Sequence, residues 1–347
     1  MNKIILLLLI GLVLIVILIT LKLYSVNHFR VNKELPLEIE FTKPYNVCNL
    51  LYKTDYFYHF TDYDYKARNI KKSRNELVSH YCKNIVPFTH TEKENITQLI
   101  ENMIKLLEGK NAKGIYLLKT WKFAKYKDII ENGYPHTHGD ILFLPQWYVN
   151  GINSKSNLNK NMNIIKILIH EKIHILQRLN KVDFNTLYTK YWNFTKVDSI
   201  RNIKTISKLI RNNPDVESNN YLFKLNENKY ILPVSIFNKD YEDISNLEEV
   251  EYVGVYVKKE NNRYSISIPI KMEKLNNIEK YYNFFGKTDN HYHPNELSAE
   301  LISDYYLNYI NSKYSLDNSE YNSNLNSNNK STPKGAKLLA EWFEKVL

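Results

Sequence analysis

The residues that could do chemistry sit close together in Ile167-Leu-Ile-His170-Glu171-Lys-Ile-His174-Ile-Leu-Gln177, which contains an H-E-x-x-H. Side chains four apart stack on one helix face, so His170 and His174 can point at one divalent ion with Glu171 beside them. Zinc held this way brings the pKa of its water to about 7 and polarises a carbonyl. Glu171 is then placed to take the water's proton as general base. Ile164, Ile165, Leu168, Ile169, Ile173, Ile175 and Leu176 surround the three. Burying two imidazoles and a carboxylate among them is costly unless something such as a metal compensates.

Catalytic zinc usually takes three protein ligands and leaves one position for water. The candidate third ligand is Glu296 in His291-Tyr-His-Pro-Asn-Glu296-Leu-Ser-Ala-Glu300, where Glu300 lies one helical turn on. Should Glu296 not serve, His291 and His293 are the nearest substitutes. A donor to the developing oxyanion is also expected, and His291, Tyr292 and His293 are all candidates by proximity.

These two motifs resemble those of the gluzincins, the thermolysin-like zinc peptidases. The resemblance implies a zincin-like α+β fold with a mixed β-sheet lobe, an active-site helix and a second, largely helical lobe. It implies Glu296 as zinc ligand and Glu300 as the carboxylate that braces His170. It covers the two motifs and not the whole chain. Lys172 stands at a position usually uncharged, pointing off the metal face, and the stretch between His174 and Glu296 is longer than in thermolysin. In zincins generally, a strand just before the motif helix forms the upper edge of the cleft, and a peptide substrate pairs with it. Pro135-His136-Thr-His138-Gly-Asp140 is the matching segment here. Alternate strand residues share a face, so His136 and His138 are expected to contact the substrate strand; a second metal and a simple surface turn are the other readings.

These side chains need elements to position them. Thr91 and Glu94 read as a capping box for a helix carrying Ile96, Leu99, Ile100, Met103, Ile104 and Leu107 and ending at Gly109. Strands are expected near Ile115 to Leu118 and across the run after Asp140 to Leu144. The motif helix is expected from about Asn161 to Leu179. Ile200, Ile203, Ile206, Leu209 and Ile210 suggest a further helix that stops at the turn Asn212-Asn213-Pro214-Asp215. Residues 221–270 read as a β-rich insertion, with a hairpin about Asn261-Asn262. A helix follows Pro294.

Residues 4–21 are almost wholly apolar between Lys3 and Lys22, long enough for a membrane span of roughly 17 to 25 residues. With no small-residue cleavage site, residues 1–23 read as an uncleaved single-pass anchor. Basic residues after the span favour a cytoplasmic body and three sequons favour a lumenal one, so the side stays open. Residues 24–45 read as a stalk, 46–313 as the catalytic domain, 314–333 as an Asn/Ser-rich linker and 334–347 as an amphipathic helix. The net charge of +10 is dispersed, so no nucleic-acid partner is expected. Tyrosine, at 28 residues, tracks the Asn, Lys and Ile richness of an AT-rich coding bias and is set aside as a clue. Cys48 and Cys82 are too few for a disulfide scaffold, though they could form one bridge.

The expectation is a membrane-anchored metallopeptidase with one zinc per chain and a peptide or protein substrate. The alternative is a membrane-associated binding protein of the same fold without peptidase activity.

Overall fold

Ile141-Leu-Phe-Leu144 is apolar at every position because the strand it forms is covered on both sides. Leu142 and Leu144 face one core with Phe123, Leu168 and Leu297, while Ile141 and Phe143 face another with Val47, Leu77, Tyr81 and Tyr126. The computed structural model describes residues 36–153, 158–216, 218–288, 290–311 and 332–346. The expected anchor, the first part of the stalk and most of the linker lie outside them. Among the described residues no helix is long and apolar enough to cross a membrane.

The chain is mixed α and β. Its first sheet comprises β1 (Glu38–Phe41), β2 (Ile85–Val86), β3 (Thr120–Tyr126), β4 (His136–His138) and β5 (Ile141–Pro145), in the order β1-β3-β5-β4 with β2 also on β3. The β1–β3 and β3–β5 pairs are parallel, and β4 returns antiparallel to β5. Gly139, at φ +59, supplies the left-handed residue of the tight turn between β4 and β5. Helices Pro44–Lys53 and Arg74–Asn84 cover one face and are joined by a disulfide between Cys48 and Cys82, whose Cα atoms are 5.3 Å apart. The other face meets helices His90–Gly109 and Met162–Leu179.

A second sheet is antiparallel throughout: β6 (Phe194–Lys196), β7 (Tyr221–Lys224), β8 (Lys229–Phe237), β9 (Val250–Glu260), β10 (Arg263–Ile266) and β11 (Met272–Lys274). It reaches beyond residues 221–270 at both ends, so this part of the chain is not largely helical. Asn261 and Asn262, at φ 48 and 59, form the two-residue turn between β9 and β10. Helices Glu279–Phe285, Pro294–Asn311 and Lys334–Val346 follow.

Four expectations need correction. The capping box is Thr89 with Glu92, two residues before Thr91 and Glu94, and its reciprocal bonds start the helix at His90. Ile115–Leu118 is a 3₁₀ turn, and the strand begins after it, at Thr120. Ile200, Ile206 and Ile210 are buried against the second sheet, but only Lys204–Ser207 is helical. Isolated bridges from Arg201 to Ser265 and Ile210 to Ile236 take the backbone bonds a longer helix would use. Part of the expected stalk is folded: Glu38–Phe41 is β1, and the first helix starts at Pro44.

Candidate metal centre

The motif helix Met162–Leu179 packs against β4, β5 and the helix Pro294–Asn311. It buries one continuous stretch from Leu168 to Gln177. That span is closed to bulk water apart from one cavity, so most of its polar groups find partners inside. Lys172 finds one in the Thr120 carbonyl, which its ammonium meets while burial brings its pKa down to about 8. It sits over the Trp121 ring, at a distance from the paired histidines.

His170 Nε2 lies 3.1 Å from His174 Nε2, and Glu296 Oε2 lies 3.3 Å from the first and 3.7 Å from the second. The first-turn position of Glu296 on its helix, opposite the motif helix, brings its carboxylate there. The outer nitrogen of His174 fixes its tautomer. His174 Nδ1 donates to Gln177 Oε1 at 3.0 Å, an amide oriented because its nitrogen donates to Asn295 O and Ser298 Oγ. His170 Nδ1 faces Glu300 Oε2 at 3.5 Å. His174 Nε2 is therefore left with its lone pair aimed at His170 Nε2 and at the Glu296 carboxylate.

Such a trio could hold a cation between its members. With a proton as the only candidate, burial would depress His170, but Glu296 and Glu300 outweigh it and lift its pKa to about 10. Glu296 is correspondingly held down at about 2, its burial offset by His174 and His170. A metal would take the proton's place. The edge of a tetrahedron is about 1.63 times its centre-to-corner distance, so zinc bonds near 2.0 to 2.1 Å place ligand atoms roughly 3.3 Å apart. The three separations, 3.1, 3.3 and 3.7 Å, bracket that value.

No protein-family model, curated protein or solved structure matches the chain.

A cavity of about 540 Å³ opens beside the trio, lined among others by His136, Glu171, Arg211, Asp215 and Tyr292. Glu171 is buried, and its Oε2 has no hydrogen-bond partner. Burial, and then the charge of Asp215, raise its pKa well above the usual carboxylate range. Glu171, His174 and Asp215 also have ligand atoms close enough for a metal, and that grouping shares His174 with the first.

Of the five expected cleft residues, only His136 and Tyr292 line the cavity. His138 packs on Tyr56, Phe57 and Phe143, away from it. His136 and His138 do share a strand face, as alternate residues must. His291 meets the Thr288 carbonyl. His293 caps its helix, accepting from Asn295 N and reaching Ser218 O, with burial lowering its pKa to about 4.

Sequence reasoning missed the loop Arg211 to Asp215. Asn213 Nδ2 donates to Glu296 Oε1 at 2.8 Å and also to the Tyr292 hydroxyl. Asn212 is in turn bound by Asp64, Arg68 and Tyr56. The turn-forming run Asn-Asn-Pro-Asp was visible, but nothing in it pointed to partners some 80 positions away.

Pairing of a substrate with the β4 edge is also not what the geometry offers. Thr137 N donates to Asp215 Oδ1 at 3.1 Å, and Thr137 O accepts from Arg178 Nη2 at 3.3 Å. Arg178 and Asp215 are themselves joined at 3.1 Å. Both outward backbone groups of Thr137 are thereby taken.

Proposed function

We propose that the chain is a zinc-dependent metallopeptidase with a zincin-like fold, anchored to a membrane through residues 4–21. The observation that carries the reading is the convergence of His170 Nε2, His174 Nε2 and Glu296 Oε2 at the spacing of tetrahedral zinc ligands. Those three side chains would hold the ion, which when bound acidifies water and polarises the substrate carbonyl.

The protein's own residues supply the rest. Glu171 presents an unbonded carboxylate oxygen beside the trio, and its raised pKa suits a group that takes a proton from water and returns it to a leaving amine. Tyr292 accepts from Asn213 and from Arg211, so its own proton is free to donate into the cavity, toward an oxyanion. The cavity volume falls in the range of about 300 to 1,000 Å³ common for ligand sites.

Zinc content and hydrolysis of a peptide library, measured for the full chain and for Glu171→Gln, test this. One zinc per chain in both proteins is expected, with product from the unaltered chain alone. Equal product from the two would remove Glu171 as base, and absence of stoichiometric zinc would end the metallopeptidase reading.

A further inference from the structure

A substrate that cannot add a strand to β4 needs another handhold, and Arg211 offers one. Its guanidinium lines the cavity, where Nη1 reaches Leu247 O and Nη2 reaches the Tyr292 hydroxyl, both at a long 3.4 Å. Its Nε is buried with no partner. Arginine carries five N–H donors in a rigid fork suited to a carboxylate, and no carboxylate lies within ion-pairing distance of this one among the described residues. Arg211 as a whole is half-buried, and a partly desolvated cation with a fully buried, unpartnered Nε gains when an anion arrives.

Glu131, Asp64 and Glu248 are committed to other partners. Glu131 takes Arg68 in two parallel bonds, Nε to Oε1 at 3.1 Å and Nη2 to Oε2 at 2.8 Å. Asp64 takes the remaining Arg68 nitrogen and Asn212. Glu248, exposed on the same wall, accepts from the Tyr134 hydroxyl. Arg211 also belongs to the site: Tyr292 and Asn213 link it through hydrogen bonds to Glu296. An anion on Arg211 would sit two side chains from the metal donors.

We propose that Arg211 receives a carboxylate of the substrate, so that the cleft selects peptides by an acidic group held beside the bond to be cut. This rests on the peptidase reading for its location, though not for its test. The acidic group is either the C-terminal carboxylate or an Asp or Glu side chain. Blocking of the Thr137 edge by Asp215 and Arg178 fits the same picture, since a substrate anchored by charge has no need of an extended backbone ladder.

The test uses the full chain carrying Glu171→Gln, which binds without turnover, and calorimetric titration with three versions of one acetylated tripeptide. These are the free C-terminal acid, the C-terminal amide, and the amide with glutamate as the last residue. We expect the acid, the glutamyl amide or both to bind about tenfold tighter than the neutral amide. The preference is expected to vanish on adding Arg211→Met and to survive in part with Arg211→Lys. Whichever peptide is preferred names the source of the carboxylate. Equal binding of all three, binding of none, or a preference that persists in Arg211→Met would overturn the proposal. Zinc is assayed in the same samples, so a chain that prefers the acid yet holds no zinc sinks the metallopeptidase reading and leaves this one standing. Folding of each variant is checked by its thermal transition, and Arg211→Lys keeps the test decisive if Arg211→Met unfolds.

Discussion

Asn213 and Glu296 are bound side chain to side chain, the amide nitrogen donating to Oε1 at 2.8 Å while Oε2 stays turned toward His170 and His174. One oxygen of the carboxylate is thereby occupied and the other presented. A loop following the stretch that covers the second sheet thus sets the aim of a ligand on a distant helix.

Removing that donor with Asn213→Ala should loosen the carboxylate. Partners of this kind typically contribute 10- to 100-fold in metal affinity, so a loss in that range is expected for zinc, read by competition with a chromophoric chelator. Affinity unchanged within about twofold would show that Glu296 is aimed by its helix alone.

Gln177 does for His174 what Asn213 does for Glu296. Gln177→Leu leaves the imidazole Nδ1 proton without an acceptor and frees the ring to turn. A comparable 10- to 100-fold loss of zinc affinity is expected, read by the same chelator competition, and affinity unchanged within about twofold would show that His174 is held by packing alone.

Acid should weaken the fold through Glu131. Burial alone would raise its pKa, but Arg68 and then His136 outweigh it and hold it below the ordinary value. In that case the unfolded chain binds the proton more readily than the folded one. The stabilisation is full above about pH 4.3 and is lost as pH falls through the lowered folded value. Glu131→Gln should flatten the acid limb of a stability–pH curve and cost about 3 to 5 kcal/mol at neutral pH, the usual effect of breaking a buried pair. An acid limb as steep as before would assign it to other carboxylates.

Asp215→Ala should unseal the edge of β4. The Thr137 amide loses its acceptor, so its hydrogen exchange is expected to accelerate relative to the β3 and β5 amides, which keep their ladder partners. Exchange at Thr137 no faster than before would mean that another group covers the edge.

Much of the scaffold was readable because it is set by local pattern. The apolar pattern predicts a helix from about Asn161 to Leu179, and Met162–Leu179 is one. The Asn261-Asn262 turn follows from the ease with which Asn adopts positive φ, and the helix after Pro294 from proline's preference for a first turn. Ile200 to Ile210 shows the limit. Its apolar spacing suits a helix, yet the second sheet accepts the same side chains from a nearly irregular backbone. Propensity yields there to tertiary contact. Asn213, Asp215, Arg178 and Arg211 could not be assigned in advance, since each acquires its role from a partner remote in sequence.

The donors of the centre come from the middle of the chain and from near its end, with the whole antiparallel sheet between them. On a growing polypeptide His170 and His174 emerge long before Glu296, and their helix can pack on β4 and β5 while the site waits for that carboxylate. A product stalled before Glu296 would therefore hold two of the three candidate donors of the first grouping, and all three of the Glu171, His174 and Asp215 grouping once past Asp215.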